Sequence, residues 1–272
     1  MNMTVKFQAP DNLVAFYREI AKSQAWAQLS INKKFETKLL SQDKNKKHFE
    51  RKSVLLDKII IDTDEKVFGE VFKEILHSAS KFTDNSDNLK DLLAWSKEVD
   101  MGAYLHAALQ GDYQEIISKN GISSPESISY FGELAVRPYL RVMSNKAGGH
   151  HHHEWKESFC PICGRKAAFS VLENDCRTLV CIGCYTEWVY PYLKCSTCET
   201  LDHSNLGFLI PEGIEGEKVF ICKECCSYIK MFDREVLQES DLQLADLNTL
   251  YLDLLAISKD YYREDSINPL IN

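Results

Sequence analysis

Four Cys-x-x-Cys pairs fall within a short stretch of this chain: Cys160/Cys163, Cys181/Cys184, Cys195/Cys198 and Cys222/Cys225. Two cysteines separated by two residues on a tight turn aim both sulfurs at one tetrahedral metal. Two such turns supply the four thiolates of a structural zinc or a rubredoxin-type iron. Gly164, directly after the first pair, relaxes the backbone whose N–H groups must face the sulfurs. Taken in chain order, the pairs predict two sites. Cys160/Cys163 with Cys181/Cys184 encloses 17 residues, and Cys195/Cys198 with Cys222/Cys225 encloses 23. Interleaved pairing needs longer crossings. Cys226 adjoins Cys225 and competes with it as a ligand, although the spacing favours Cys225. Cys176 lies outside the pattern and reads as a small buried or surface thiol. Spacing does not choose between zinc and iron, since both accept four thiolates. Arg165, Lys166, Arg177, Lys194 and Lys223 lie near the ligands and offset the negative charge of either centre.

The elements that must position these pairs are short and β-like. Stretches 168–172, 177–180, 187–194, 206–210, 218–221 and 227–232 are rich in Val, Ile, Phe and Tyr, and each abuts a pair. This predicts hairpins whose turns are the metal knuckles, with thiolate–metal bonds supplying folding free energy that so small a sheet lacks. The expected class is α+β: an all-helical domain over 1–146, a Gly/His linker over 147–153, then two tandem rubredoxin-like or zinc-ribbon β modules over 154–194 and 195–233. A C-terminal helix and tail follow over 234–272, the helix carrying leucines across 235–257. In the first half, Leu13, Phe16, Tyr17 and Ile20 form one helix face, and Phe68, Val71, Phe72 and Ile75 another. Pro138 predicts a kink in the helix that buries Phe131 and Leu134. No catalytic constellation stands out there, and His48, His77 and His106 read as structural or solvent-facing. The expectation is a protein that is not an enzyme. His150–His153 can catch a transition metal, but four neighbours on a flexible loop are a poorly organised site.

Composition narrows the class further. A 44% hydrophobic and 26% charged content is that of an ordinary globular protein, and no apolar run reaches the length of a membrane span. The N-terminus lacks the apolar core of an export signal, so a cytoplasmic location without membrane insertion is expected. A disulfide framework fits poorly, because eight of ten cysteines fall in the pairs and the first 159 residues hold none. From Ala147 onward there are 11 Lys+Arg against 20 Asp+Glu, a balance of −9. That sign opposes nucleic-acid binding, which a zinc ribbon would otherwise suggest. The basic run Lys44–His48 reads as a solubilising surface.

The residues around the pairs resemble the formate dehydrogenase accessory (formation) proteins called FdhE. The likeness rests on Cys160-Pro-Ile-Cys-Gly164, Arg177 before Cys181, and Cys184-Tyr-Thr-Glu-Trp188. It continues through Lys194-Cys195-Ser-Thr-Cys198, Cys222-Lys-Glu-Cys225 with Tyr228 and Lys230, and Ala245-Asp-Leu247 leading to Leu252-Asp253. It implies a cytoplasmic maturation factor that binds the catalytic subunit of a formate dehydrogenase and carries two rubredoxin-like iron centres. The sequence departs from the pattern at Cys225-Cys226 and in the His tract. On this reading Arg177, Thr186, Glu187, Trp188, Tyr228 and Lys230 form a docking surface of large rings and ion-pairing groups. Trp188 can equally serve to cover the first knuckle. The rival reading is electron or sulfur transfer to the same client, through the metal centres or the spare thiols Cys176 and Cys226.

Overall fold

Apolar residues recurring with a helical period become six α-helices among the described residues of the N-terminal half in the computed structural model. It describes residues 9–39, 54–58, 64–82, 86–120, 125–148, 154–235 and 242–264. The helices are α1 (Asp11–Leu39), α2 (Glu65–Ala79), α3 (Ser86–Trp95), α4 (Met101–Gln110), α5 (Gln114–Asn120) and α6 (Pro125–Lys146). Asp64 caps α2 by accepting from the Lys66 and Val67 amides at 3.1 and 3.4 Å, and Asp100 caps α4 in the same way. Gly111 ends α4 at φ 71°, a left-handed position that favours glycine. Phe68, Phe72, Trp95, Tyr104 and Tyr139 are buried together, with Tyr104 edge-on to Phe72 at 5.3 Å and to Trp95 at 5.0 Å.

Pro138 does not break α6. A proline removes the amide that would bond the carbonyl four residues back, which here is Leu134. That carbonyl instead accepts the Gln24 side-chain amide at 2.7 Å, a buried bond from α1. The basic run Lys44–His48, the tract His150–His153 and residues 265–272 lie outside the described residues.

The chain divides into two compact units, one built on residues 15–148 and the other on 149–266. The second holds a six-stranded sheet of β1 (Ala167–Glu173), β2 (Cys176–Cys181), β3 (Glu187–Val189), β4 (Leu206–Leu209), β5 (Glu217–Cys222) and β6 (Tyr228–Asp233), ordered β3-β2-β1-β6-β5-β4. Neighbours are antiparallel except at the centre, where β1 and β6 run parallel with Phe169 opposite Lys230 and Leu172 opposite Asp233. The expected two modules are therefore visible as β1–β3 and β4–β6, merged into one sheet. Each repeats the same strand order and directions, so the second is a translated copy of the first.

One face of the sheet, formed by Phe169, Val171, Val180, Val219, Ile221 and Phe232, packs on Leu252 and Ala256. Alternation along the strands sends Arg177, Leu179 and Phe220 to the other face. Two elements differ from the expectation. The strand expected over 187–194 ends at Val189, because Pro191 has no amide to donate and the carbonyls of Pro191, Tyr192 and Lys194 turn to the Arg177 guanidinium. The single C-terminal helix is two, α7 (Leu242–Asn248) and α8 (Leu250–Ile257). At the break, the Asp246 carbonyl, which an unbroken helix would give to Leu250, accepts from Lys230 Nζ at 2.8 Å and Thr249 Oγ1 at 3.2 Å.

Candidate metal centres

The eight paired cysteines converge, in chain order, into two groups. Cys160, Cys163, Cys181 and Cys184 form one; Cys195, Cys198, Cys222 and Cys225 form the other, with all sulfurs of a group within 4.8 Å of one another. In the first, Cys160–Cys184 and Cys163–Cys181 are 3.4 Å apart and Cys163–Cys184 3.7 Å. In the second, Cys195–Cys225 is 3.8 Å and Cys198–Cys222 3.7 Å. A metal–sulfur distance of about 2.3 Å in a tetrahedron requires sulfurs about 3.8 Å apart, so both groups can hold a metal ion.

All four turns share one construction. The first cysteine's amide bonds the carbonyl five residues on: Cys160 to Arg165, Cys181 to Thr186, Cys195 to Thr200 and Cys222 to Ser227, at 2.8 to 3.1 Å. The residue after the second cysteine is left-handed in each case: Gly164, Tyr185, Glu199 and Cys226, with φ of 73°, 58°, 61° and 56°. Amides of Ile162, Gly183 and Thr197 point at the sulfurs of Cys160, Cys181 and Cys195 at 3.3 to 3.4 Å. These donors favour thiolates over thiols. Cys226 therefore occupies the turn position that glycine fills in the first knuckle. Its side chain is exposed, with the Lys223 carbonyl as a contact at 3.9 Å, and Cys225 is the member of the group.

A hydroxyl two residues past the last cysteine completes each group. Thr186 lies 2.9 Å from the Cys184 sulfur, and Ser227 lies 3.0 Å from that of Cys225. The groups differ in exposure. Every cysteine of the first is buried, whereas Cys198 is exposed and Cys225 half-buried in the second. Without a metal, burial pushes the Cys160 and Cys181 thiols well up. Cys163 moves the other way, because sulfur contacts from its three partners outweigh burial. Cys195 is likewise pulled down, against burial, by the amides of Thr197 and Cys198.

The six residues expected on a docking surface are buried instead, because each is bonded inside the fold. Thr186 serves a sulfur. Glu187 pairs with Arg234, and Trp188 donates to the Glu157 carbonyl at 3.0 Å beside the first knuckle. Arg177, on β2, donates to the carbonyls of Tyr192 and Lys194 at 3.2 and 3.0 Å and lies 4.4 Å over the Phe220 ring. Tyr190 ties the same loop down, its hydroxyl bonding the Cys195 carbonyl at 2.9 Å. Burial pushes the Arg177 guanidinium down to about 10, with Cys195 among the groups holding it up. The Arg177 Nε and Nη2 atoms are buried without a hydrogen-bond partner, in a guanidinium that lies over the Phe220 ring.

Tyr228 and Lys230 sit at the centre of an internal ion cluster. Lys230, fully buried, reaches Asp253 at 2.5 Å and Asp246 at 2.9 Å. Tyr228 donates to Asp253 at 2.8 Å, and Arg263 reaches Asp246 at 3.1 Å and the Ala168 carbonyl at 2.5 Å. Burial opposes ionisation of Asp246, but Arg263 and Lys230 outweigh it and hold the carboxyl down at about 2. These residues clamp α7 and α8 to β6. Sequence reasoning missed Ser227, Tyr190 and Arg263; aligning the four turns on one another reveals Ser227 as the counterpart of Thr186. His77 and His106 are exposed, and Cys176 is a surface thiol.

Residues 193–271 match the family model described as FdhE, C-terminal domain. The chain is 28% identical over 152 residues to a protein FdhE homolog of Aquifex aeolicus (strain VF5), covering 54% of this chain and 50% of that protein. It is 37% identical over 114 residues to the homolog of Stutzerimonas stutzeri (strain A1501), covering 40% and 37%. A homolog from Yersinia pestis (strain Pestoides F) is 27% identical over 212 residues, covering 76% and 64%. The chain thus spans less than two thirds of the length of these relatives. The crystal structure of the FdhE protein from Pseudomonas aeruginosa shares the fold at a TM-score of 0.51, with 23% identity over 74% of this chain and 68% of that one. Sequence and fold agree on one likeness: residues 193–271 match an FdhE C-terminal domain, and the chain is similar to FdhE homologs and shares the fold of an FdhE protein.

Proposed function

We propose that this protein is a cytoplasmic maturation factor that binds the catalytic subunit of a formate dehydrogenase and is needed to form the active enzyme. The match of residues 193–271 to the FdhE C-terminal domain carries the reading. The chemistry of the site supports a role without turnover. A metal held by four thiolates has no open position for a substrate, unlike a catalytic zinc. The eight paired cysteines would each hold one of two metal ions, zinc or iron; bound there, the metal supplies cross-links and, if iron, one-electron chemistry. Purification of the tagged full chain from its host under anaerobic, reducing conditions tests the client. Recovery of a formate dehydrogenase catalytic subunit is expected, and consistent failure to recover one would sink the proposal. The visible spectrum of the same material separates ferric iron, which absorbs, from zinc, which does not.

The exposure of Cys198 favours a second reading, electron or sulfur transfer to that client through the second group and the neighbouring Cys226 thiol. Sulfur relay requires a free thiol, so the Cys176→Ser/Cys226→Ser double variant decides it. Unchanged dehydrogenase maturation by that variant removes relay through these thiols.

A further inference from the structure

The translated repeat leaves one strand position unfilled. β1 is flanked by β2 on one side and by β6 on the other, whereas β4, its counterpart in the second module, pairs among the described strands with β5 alone. The bond from the Ile182 amide to the Lys166 carbonyl has its equivalent in Lys223 to Asn205, which sets the correspondence between the modules. β1 has a bulge between Ala167 and Phe169 that β4 lacks, so Phe169, opposite Val180, matches Gly207, opposite Ile221, and the residues of β1 that carry β6, Phe169 to Leu172, correspond to Gly207 to Ile210. Alternation from Asn205 turns the backbone groups of Phe208 away from β5. Phe208 and Ile210 share one face there, with Tyr192 6.0 Å from the Phe208 ring, and Ile210 is 69% exposed. Lys218 Nζ lies 5.5 Å from the Phe208 ring centroid, and the exposed Glu212 and Glu215 follow Ile210. No Lys or Arg falls in the sequence between Lys194 and Lys218.

We infer that the free edge of β4 binds an extended segment of the client, running parallel to β4, with apolar residues alternating with Lys or Arg. The inference rests on the client role proposed above. Backbone bonds to the edge would supply affinity, the Tyr192–Phe208–Ile210 strip would take the apolar side chains, and the exposed Glu212 and Glu215 would take the basic ones. A second copy of this chain fits less well. Its counterpart of β6 is β3, which spans three residues and whose Glu187 and Trp188 are already committed to Arg234 and the Glu157 carbonyl.

The test uses the full, metal-loaded chain and a fluorescent peptide of alternating Val and Lys. Saturable binding that weakens as salt rises is expected, with loss of roughly tenfold or more in affinity for Ile210→Lys, a charge placed on the edge. Leu254→Lys, at another exposed apolar site, on α8, should leave binding unchanged. The same peptide with N-methylated amides, and one alternating Val and Glu, should not bind. Equal binding by Ile210→Lys, equal binding of the N-methylated peptide, or growth of the chain's mass with concentration through β4 would each overturn the edge assignment. Co-purification separates this from the functional reading. Wild type that recovers the dehydrogenase subunit while Ile210→Lys does not supports both. Equal recovery by the two overturns the edge alone, and no recovery by wild type overturns the client role.

Discussion

At the residue scale, four turns with one construction decide which cysteine does what. Cys225 belongs to the second group and Cys226 is the left-handed residue that lets the turn close. Cys225→Ser should therefore lower the bound metal from two ions per chain toward one, and Cys226→Ser should leave two, as read by metal analysis of purified protein. Thr186 and Ser227 each sit on the last sulfur of their own group. Replacing either by Ala should weaken its site by about tenfold or more in chelator competition, the usual cost of losing an outer-shell partner. Ligand pairing was legible in the sequence because x-x spacing reports a local turn. The fate of Arg177, Glu187, Trp188, Tyr228 and Lys230 was not. A ring or an ion-pairing group looks the same in a one-dimensional string whether its partner is another protein or a strand fifty residues away.

At the element scale, the sheet is joined to its helices by charge as well as by apolar packing. Lys230→Met would strip buried Asp253 of its nearest cation, leaving it Tyr228 and, at 3.5 Å, Arg263; the loss should be at most about 3–5 kcal/mol, and pairing the change with Asp253→Leu should recover much of it. Urea unfolding of the two variants measures both effects. Asp246 adds a pH dependence with a definite sign. Its folded carboxyl is held at about 2, below the ordinary carboxylate value, so its contribution is present above about pH 4 and is lost as pH falls toward 2. The stability gap between wild type and Asp246→Asn should narrow as the solution is acidified from about pH 5 to about pH 3. Strand positions were readable from alternation, whereas the break between α7 and α8 was not, because it is imposed by the distant Lys230. Pro138 teaches the same lesson in the helical unit: the residue that makes it tolerable, Gln24, lies on another helix. Gln24→Leu should cost about 1–3 kcal/mol by orphaning the Leu134 carbonyl, measured by the same urea method.

At the scale of the whole molecule, two units hold together by different means. The helical unit has a core of interlocked rings, and the second has a thin sheet with two thiolate groups and a buried ion cluster. Chelation should consequently abolish the near-ultraviolet signal of Trp188 and its neighbours while most of the far-ultraviolet helical signal survives. The acidic balance of the second half predicts no retention on duplex or single-stranded oligonucleotides at physiological salt.

The left-handed seat of Cys226 has one more consequence. Of the ten cysteines, eight are claimed by the two groups, and Cys226 and Cys176 face solvent. A gentle alkylating reagent should thus add two adducts to the loaded chain and ten after chelation under denaturing conditions. Intact-mass spectra would then serve as an occupancy gauge, counting filled centres one molecule at a time, and Cys226 would report on a knuckle whose turn it closes without being one of its paired sulfurs.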